Sequence, residues 1–171
     1  MINVFCSHKL SDFINIGKSV NIDARHITDW SGHLFNVAGQ KWIIFVNKKT
    51  LFSFIIMGIL KKDLMNLSFL FIDTLIKQLD RENMLTIDYE NYLRKSDQIV
   101  LFCTTDNDRK TLGSMNDFIY HVKNIYSTDK NLELTKKYVW LNLNQMPSGV
   151  LSYQTPREAM SEHIKTMANN K

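Results

Sequence analysis

A chain of 171 residues that is 44% hydrophobic and 11% aromatic, with only six Gly and two Pro, can build a packed core and is unlike a disordered or repeat protein. Its 21 basic and 17 acidic residues leave a formal charge of +4, which suits a polyanionic partner but falls far short of a basic tail. Cys6 and Cys103 are too few for a disulfide framework or a zinc site, so both are expected to be reduced core residues.

The start Met-Ile-Asn-Val has neither the basic segment nor the apolar core of a signal peptide. The most apolar run, Leu51 to Leu60, is shorter than the ~20 residues a membrane-spanning helix takes. A cytoplasmic protein with no membrane partner is expected. No linker or low-complexity segment divides residues 1–171, which read as a single globular domain.

In chain order, Ile2 to Cys6 reads as a strand, and Ser7 caps a short helix from His8 to Ile16 that stops at Gly17. Residues 18 to 31 are polar and irregular. His33 to Ala38 and Lys41 to Asn47 form a hairpin, with Gly39 free to take the positive φ of a tight turn. Asn47-Lys48-Lys49-Thr50 turns into a third strand, Leu51 to Ile59, whose unbroken apolar content suits burial on both faces. The short connections make these three an antiparallel meander. From Lys61 to Arg81 the period changes, and Leu64, Leu67, Phe71, Leu75 and Leu79 form one helical stripe. Asp88 is expected to cap a short helix to Arg94, after which the chain returns to the sheet at Gln98. A helix over Asn131 to Asn144 carries Leu134, Tyr138, Trp140 and Leu141. Thr155-Pro156-Arg157-Glu158 is a capping box with Pro at the first helical position, and it opens a last helix with Met160, Ile164 and Met167 inward. The fold expected is α+β: a mainly antiparallel sheet of about five strands, packed against a long central helix and C-terminal helices.

One stretch is singled out, residues 98 to 118. Ile99 to Cys103 is strand-like, Thr104 to Asp108 cannot continue it, and Leu112, Met115, Phe118, Ile119, Val122 and Tyr126 recur at helical spacing from about Thr111 to Ser127. A helix start offers unpaired N–H groups and a positive dipole end, and Arg109, Lys110, Thr111 and Ser114 add donors, so the chemistry there suits an anion. The ligand-binding candidates are Arg109, Ser114 and Asn116. Asn47 and Thr50 join them only if the meander lies beside Arg109, and are otherwise turn formers. The competing reading is that Gly113 relieves crowding, Met115 packs, and Asn116 and Asp117 satisfy backbone donors near a helix end.

Arg109-Lys110-Thr111-Leu112-Gly113-Ser114-Met115-Asn116-Asp117 resembles the R-x-x-x-G-S-M-N-D motif of an uncharacterised family of small bacterial proteins, a domain of unknown function. The likeness extends to Cys6-Ser7-His8-Lys9-Leu10, to Trp30, to the run from Phe45 to Phe52, and to Leu143-Asn144-Gln145-Met146-Pro147-Ser148-Gly149, so it covers nearly the whole chain. Lys110 stands where that family usually has Ser. The resemblance implies one intact domain of bacterial or bacteriophage origin, and it brings no activity with it.

Gly113-Ser114 is also similar to the Gly-Ser of minimal nucleotidyltransferases, but Asp117 lacks the neighbouring carboxylate that chemistry needs to hold magnesium. His8, His26, His33, His121 and His163 show no metal spacing, and no Walker, G-x-G-x-x-G or G-x-S-x-G motif occurs, so no metal and no cofactor are expected. The first functional reading is a small cytoplasmic accessory or regulatory protein, phage- or plasmid-borne, that engages nucleic acid or a protein partner through a basic and polar site near Arg109. The second is a metal-independent ribonuclease of toxin–antitoxin type, with His33 as acid or base and Arg109 and Lys9 on the phosphate. The third is a protein inhibitor acting through an exposed apolar patch. Convergence of Lys9, His33, Asn47, Arg109 and Ser114 would argue for a common site.

Overall fold

The computed structural model describes residues 1–16, 29–95 and 100–169. The expected helix stop at Gly17, His26, and the expected strand entry at Gln98 and Ile99 lie outside those residues.

Five strands form one mixed, mostly antiparallel sheet: β1 (Ile2–Cys6), β2 (Trp30–Val37), β3 (Gln40–Asn47), β4 (Ser53–Ile56) and β5 (Val100–Thr104), in the order β4-β3-β2-β1-β5. The β2–β3 hairpin pairs antiparallel from Trp30↔Asn47 to Val37↔Gln40. Its two-residue turn has positive φ at both Ala38 and Gly39, the geometry that matches the strands' twist. β4 continues the expected meander on β3. It is shorter than Leu51 to Ile59, because Leu51 and Gly58 both take positive φ and leave the extended region. β1 pairs in parallel with β2 on one side and β5 on the other.

Helices cover both faces of the sheet. On one face lie α1 (His8–Ile14), α2 (Leu67–Arg81), α3 (Ile87–Arg94) and α6 (Pro156–Asn169), contributing Leu10, Phe71, Leu75, Tyr89, Leu93 and Met160 to a core with Val4, Trp30, Phe45 and Phe54. On the other lie α4 (Arg109–Asp129) and α5 (Leu132–Asn142), where Met115, Phe118, Val122 and Val139 pack on Phe35, Trp42, Ile44 and Val46. The C-terminal helices are therefore divided between the two faces.

Local chemistry explains the ends. Asn15 in the left-handed region closes α1, and its N–H donates to the Ser11 carbonyl. Residues 61–81 are not one helix, since Lys61–Asn66 is a 3₁₀ stretch tightened by the Asp63 carboxylate accepting from Leu60 N–H. Thr86, not Asp88, caps α3, accepting from Tyr89 N–H. The capping box of α6 is present, with Glu158 accepting from Thr155 N–H and Thr155 Oγ1 accepting from Glu158 N–H. On α5 it is Thr135 and Val139 that face inward, while Leu134, Tyr138 and Leu141 are exposed. Gly32 on β2 permits a close approach: a Cβ there would stand 2.9 Å from Leu10 Cδ2 and 3.1 Å from Phe45 Cε1, so buried side chains of α1 and β3 would have to shift. Cys6 and Cys103 are both unpaired and buried.

Phe71 is the keystone of α2. Its ring meets Phe45 at 4.9 Å, Phe54 at 5.0 Å and Trp30 at 5.5 Å between centroids, each close to edge-on. Such pairs add about 0.5–1.5 kcal/mol to the burial of the rings themselves. Phe71→Ala is expected to cost about 3–5 kcal/mol in urea unfolding, and a loss below about 1 kcal/mol would place the inner face of α2 elsewhere.

Candidate functional site

The β5–α4 junction is where the strand ends and the chain must choose a face. β1 leads into α1 on one side of the sheet, and its neighbour β5 leads into α4 on the other. In parallel sheets the carboxyl ends of such strands open a crevice. Here that crevice is occupied by the chain's own charges: Lys48 pairs with Asp106, and its Nζ lies 3.9 Å from the Phe5 ring centroid.

Asp108 then starts α4, so the helix begins two residues before the expected Thr111. Its carboxylate accepts from Lys110 N–H at 3.1 Å and from Thr111 Oγ1 at 2.6 Å. Burial works against its charge, but the bonds from Thr111, the Lys48 charge and the backbone N–H groups outweigh burial and hold the carboxyl below the usual range. The helix N-terminus is thus already capped. What it leaves over is side-chain charge, because Arg109 and Lys110 are exposed and make no ion pair or side-chain hydrogen bond among the described residues.

Both cations stand at the rim of a groove of about 780 Å³ between α4 and residues 146–150. Positions 109, 113, 117 and 120 recur at helical spacing, and so do 110, 114, 117 and 121, so one broad face of α4 forms the first bank. Met146, Pro147, Ser148, Gly149 and Val150 form the second bank, and Phe118 lines the floor. Ser114 lines the groove while its Oγ donates back to the Lys110 carbonyl at 3.3 Å. Asn116 is exposed and is not among the lining residues. Asn116 and Asp117 lie in the second and third turns of α4, so neither finishes a helix end.

Gly113 has no duty in the fold. A Cβ placed on it would meet nothing within 4 Å, and its φ is not positive. Gly149 on the facing bank is the same. In a helix interior a Gly costs about 0.5–1 kcal/mol relative to Ala, so Gly113 gives up stability without relieving any internal crowding.

The other candidates lie apart. Asn47 is buried, and its Oδ1 accepts from Lys49 N–H, Thr50 N–H and Thr50 Oγ1, all at 3.0 Å; Thr50 Oγ1 lies 3.7 Å from Met160 Sδ of α6. Both are turn formers on the opposite side of the sheet from the groove. His33, half-buried on β2, is held below its usual pKa by burial and then by the charges of Lys9 and Lys123. Neither Lys9 nor His33 lines the groove. Lys123, whose charge also reaches His33, lies 14 residues along α4 from Arg109, about 20 Å at 1.5 Å per residue. Among the described residues no three His, Cys, Asp or Glu side chains are grouped to hold a metal. No helix there is long and apolar enough to cross a membrane.

Residues 3–159 match a family described as Domain of unknown function (DUF6933). The chain belongs to this family. No curated protein and no solved structure matches it. Two of the stretches in which the chain resembles an uncharacterised family, residues 109–117 and 143–149, are far apart in sequence and face each other across the groove. Within the second stretch the two halves divide the labour. Met146 to Gly149 line the groove, whereas Asn144 holds the bank in place.

Asn144, 1% exposed, pairs with the outer edge of β4 as a strand would: its Oδ1 accepts from Ser53 N–H at 2.7 Å and its Nδ2 donates to the Ser53 carbonyl at 2.9 Å. Nδ2 also donates to Glu82 Oε1 at 2.7 Å, and Gln78 Nε2 donates to the same oxygen at 2.7 Å. Arg157 closes the knot by donating to the Glu82 carbonyl at 3.0 Å. Burial raises the Glu82 pKa, and the bonds from Gln78 and Asn144 and the Arg157 charge offset only part of the rise. The sequence assigned no role at this site to Glu82, Asn144, Tyr120 or His121. The last two were detectable by extending the Arg109 face along the helix.

Two outcomes follow from the knot. Asn144→Ala orphans Ser53 and one side of Glu82, and is expected to cost on the order of 2–4 kcal/mol in urea unfolding. Because Glu82 holds its proton more tightly in the folded state, its contribution is full below the ordinary glutamate range and is lost as pH rises through its raised value. Glu82→Gln is expected to flatten that part of the stability–pH profile.

Proposed function

We propose that the protein is a small accessory or regulatory binding protein that engages a nucleic-acid or protein partner in the groove between α4 and residues 146–150. The observation that carries this reading is the unpaired Arg109 beside that groove. A cation on the first turn of a helix faces the positive end of the dipole and is poorly placed unless an anion joins it. Of the nearby carboxylates, Asp106 is taken by Lys48 and Asp108 by the cap. Asp117 lines the groove and makes no ion pair with Arg109. The anion Arg109 lacks is supplied from outside. Lys110 reinforces that demand, and the net charge of +4 gives the encounter the same sign.

The family membership is compatible with this and adds no activity of its own. A cytoplasmic location and a bacterial or bacteriophage source belong to the same reading. The ribonuclease alternative has less support, since His33 and Lys9 do not line the groove beside Arg109.

The test is an amide-shift titration with two probes, a mixed-sequence single-stranded RNA and a glutamate-rich peptide. One of them is expected to shift residues 109–121 and 146–150. Arg109→Ala should abolish that binding and leave the melting temperature nearly unchanged; unfolding by this change, or binding that survives it, would overturn the reading. Gly113→Ala is expected to stabilise the fold by about 0.5–1 kcal/mol and to weaken binding, a combination a purely structural glycine would not give.

A further inference from the structure

We infer that the occupant of the groove is an amphipathic helix of a protein partner, apolar along the side that enters and carrying carboxylates at the end that meets Arg109 and Lys110. This rests on the reading of the groove as the binding site. Three features favour a protein helix over a nucleic acid.

The first is where the charge lies. A single strand of RNA or DNA needs cations along its whole track to neutralise successive phosphates. Here Arg109 and Lys110 stand together at one end, and Asp117 lies two turns further on, in the path a phosphate chain would take. A helix with one acidic end and a mostly apolar length matches that distribution.

The second is the lining. Phe118, Met146, Pro147 and Val150 present apolar surface, and Tyr120 at the rim is 68% exposed. Tyr, Met and Arg are the residues enriched at the cores of protein interfaces, and an unbranched Met re-packs around an apolar side chain. The third is Gly113. With no Cβ and open space above it, α4 exposes its backbone at mid-groove. Small residues at that place let a second helix approach to the short end of the 8–10 Å interaxial range. The lined face from Arg109 to His121 runs about 18 Å, the length of a three-turn helix of about 12 residues.

The experiment is a pair of selections on the intact protein, one with a displayed library of random 15-residue peptides and one with a pool of random single-stranded RNA. Gly113→Trp serves as counter-selection in both, and Val150→Asp on the facing bank replaces it if the Trp variant does not fold. Expected are peptides with apolar residues at i, i+3, i+4 and i+7 and Asp or Glu at one end. They should bind at least tenfold more weakly to Gly113→Trp and to Arg109→Glu, and equally well to Lys61→Glu on the remote 3₁₀ stretch. Enriched RNA that depends on Arg109, without such peptides, would overturn the helix and leave the groove standing. Peptides with no helical period or no acidic end would do the same. If neither pool yields a ligand sensitive to Arg109 and Gly113, both the helix and the groove fall.

Discussion

The groove depends on one buried polar contact, the side chain of Asn144 against the backbone of Ser53. β4 is an edge strand, and an edge strand carries N–H and C=O groups that must be paired or exposed. Asn144 supplies one donor and one acceptor in the spacing a neighbouring strand would offer, so the edge ends at a side chain. The same residue fixes three other elements. Its Nδ2 reaches Glu82 at the end of α2, its carbonyl accepts from Arg157 N–H in the first turn of α6, and the second bank of the groove begins two residues later. That bank then folds on itself, with Ser148 N–H donating to the Gln154 carbonyl and Tyr153 N–H to the Ser148 carbonyl. One bank hangs from the sheet edge, and the other, α4, packs on β2 and β3 of the same sheet. The width of the groove is therefore set through the sheet.

A buried carboxylate is an expensive way to fasten such a joint. Glu82 carries the cost of desolvation in its raised pKa, and its several donors recover only part of it. The return is directional: an apolar contact would hold β4, α2 and α6 together without fixing their angles, whereas hydrogen bonds from Gln78, Asn144 and Arg157 require each element at one orientation. The same economy explains the exposed cations at the other bank. The crevice at the carboxyl ends of β1 and β5 takes up Lys48, Asp106 and Asp108, and Arg109 and Lys110 follow without ion-pair partners among the described residues.

The parts of this architecture that were legible in the sequence are those with local causes. The hairpin at Ala38-Gly39, the capping box at Thr155 and the stripe of Phe71, Leu75 and Leu79 each follow from a few neighbouring residues, and all three stand in the structure. What depends on distant partners was not legible. Nothing near Leu51 announces that its φ will turn positive, and nothing on α5 shows that Leu134, Tyr138 and Leu141 will be left outside. The candidate site divides in the same way. Arg109 and Ser114 lie on the groove because helical spacing puts them on one face. Asn47 and Thr50 lie elsewhere because sequence distance gave no hint of which face of the sheet their turn would serve. Asn144 was in view as part of a familiar stretch, but its role required knowing where the sheet ended.

Local rules are broken most visibly around this groove. Gly113 interrupts a long helix with no crowding to relieve. Just beyond the facing bank, Ser152 and Tyr153 take consecutive positive φ values of 54° and 66°, a conformation that costs an ordinary side chain about 1–2 kcal/mol each; Ser152 closes the 3₁₀ turn Gly149–Leu151 with its N–H on the Gly149 carbonyl, and Tyr153 is left 80% exposed. A fold selected for stability alone would place Ala at the first position and avoid a bulky residue at the last. Several other unusual positions have internal duties: Gly32 admits Leu10, Ala38 and Gly39 turn a hairpin, and Asn15 closes a helix. Local preference and global structure agree in most of a natural chain, and they part where something outside the chain takes part in the balance. In this protein they part most plainly at Gly113, beside cations that no carboxylate of the described residues pairs with.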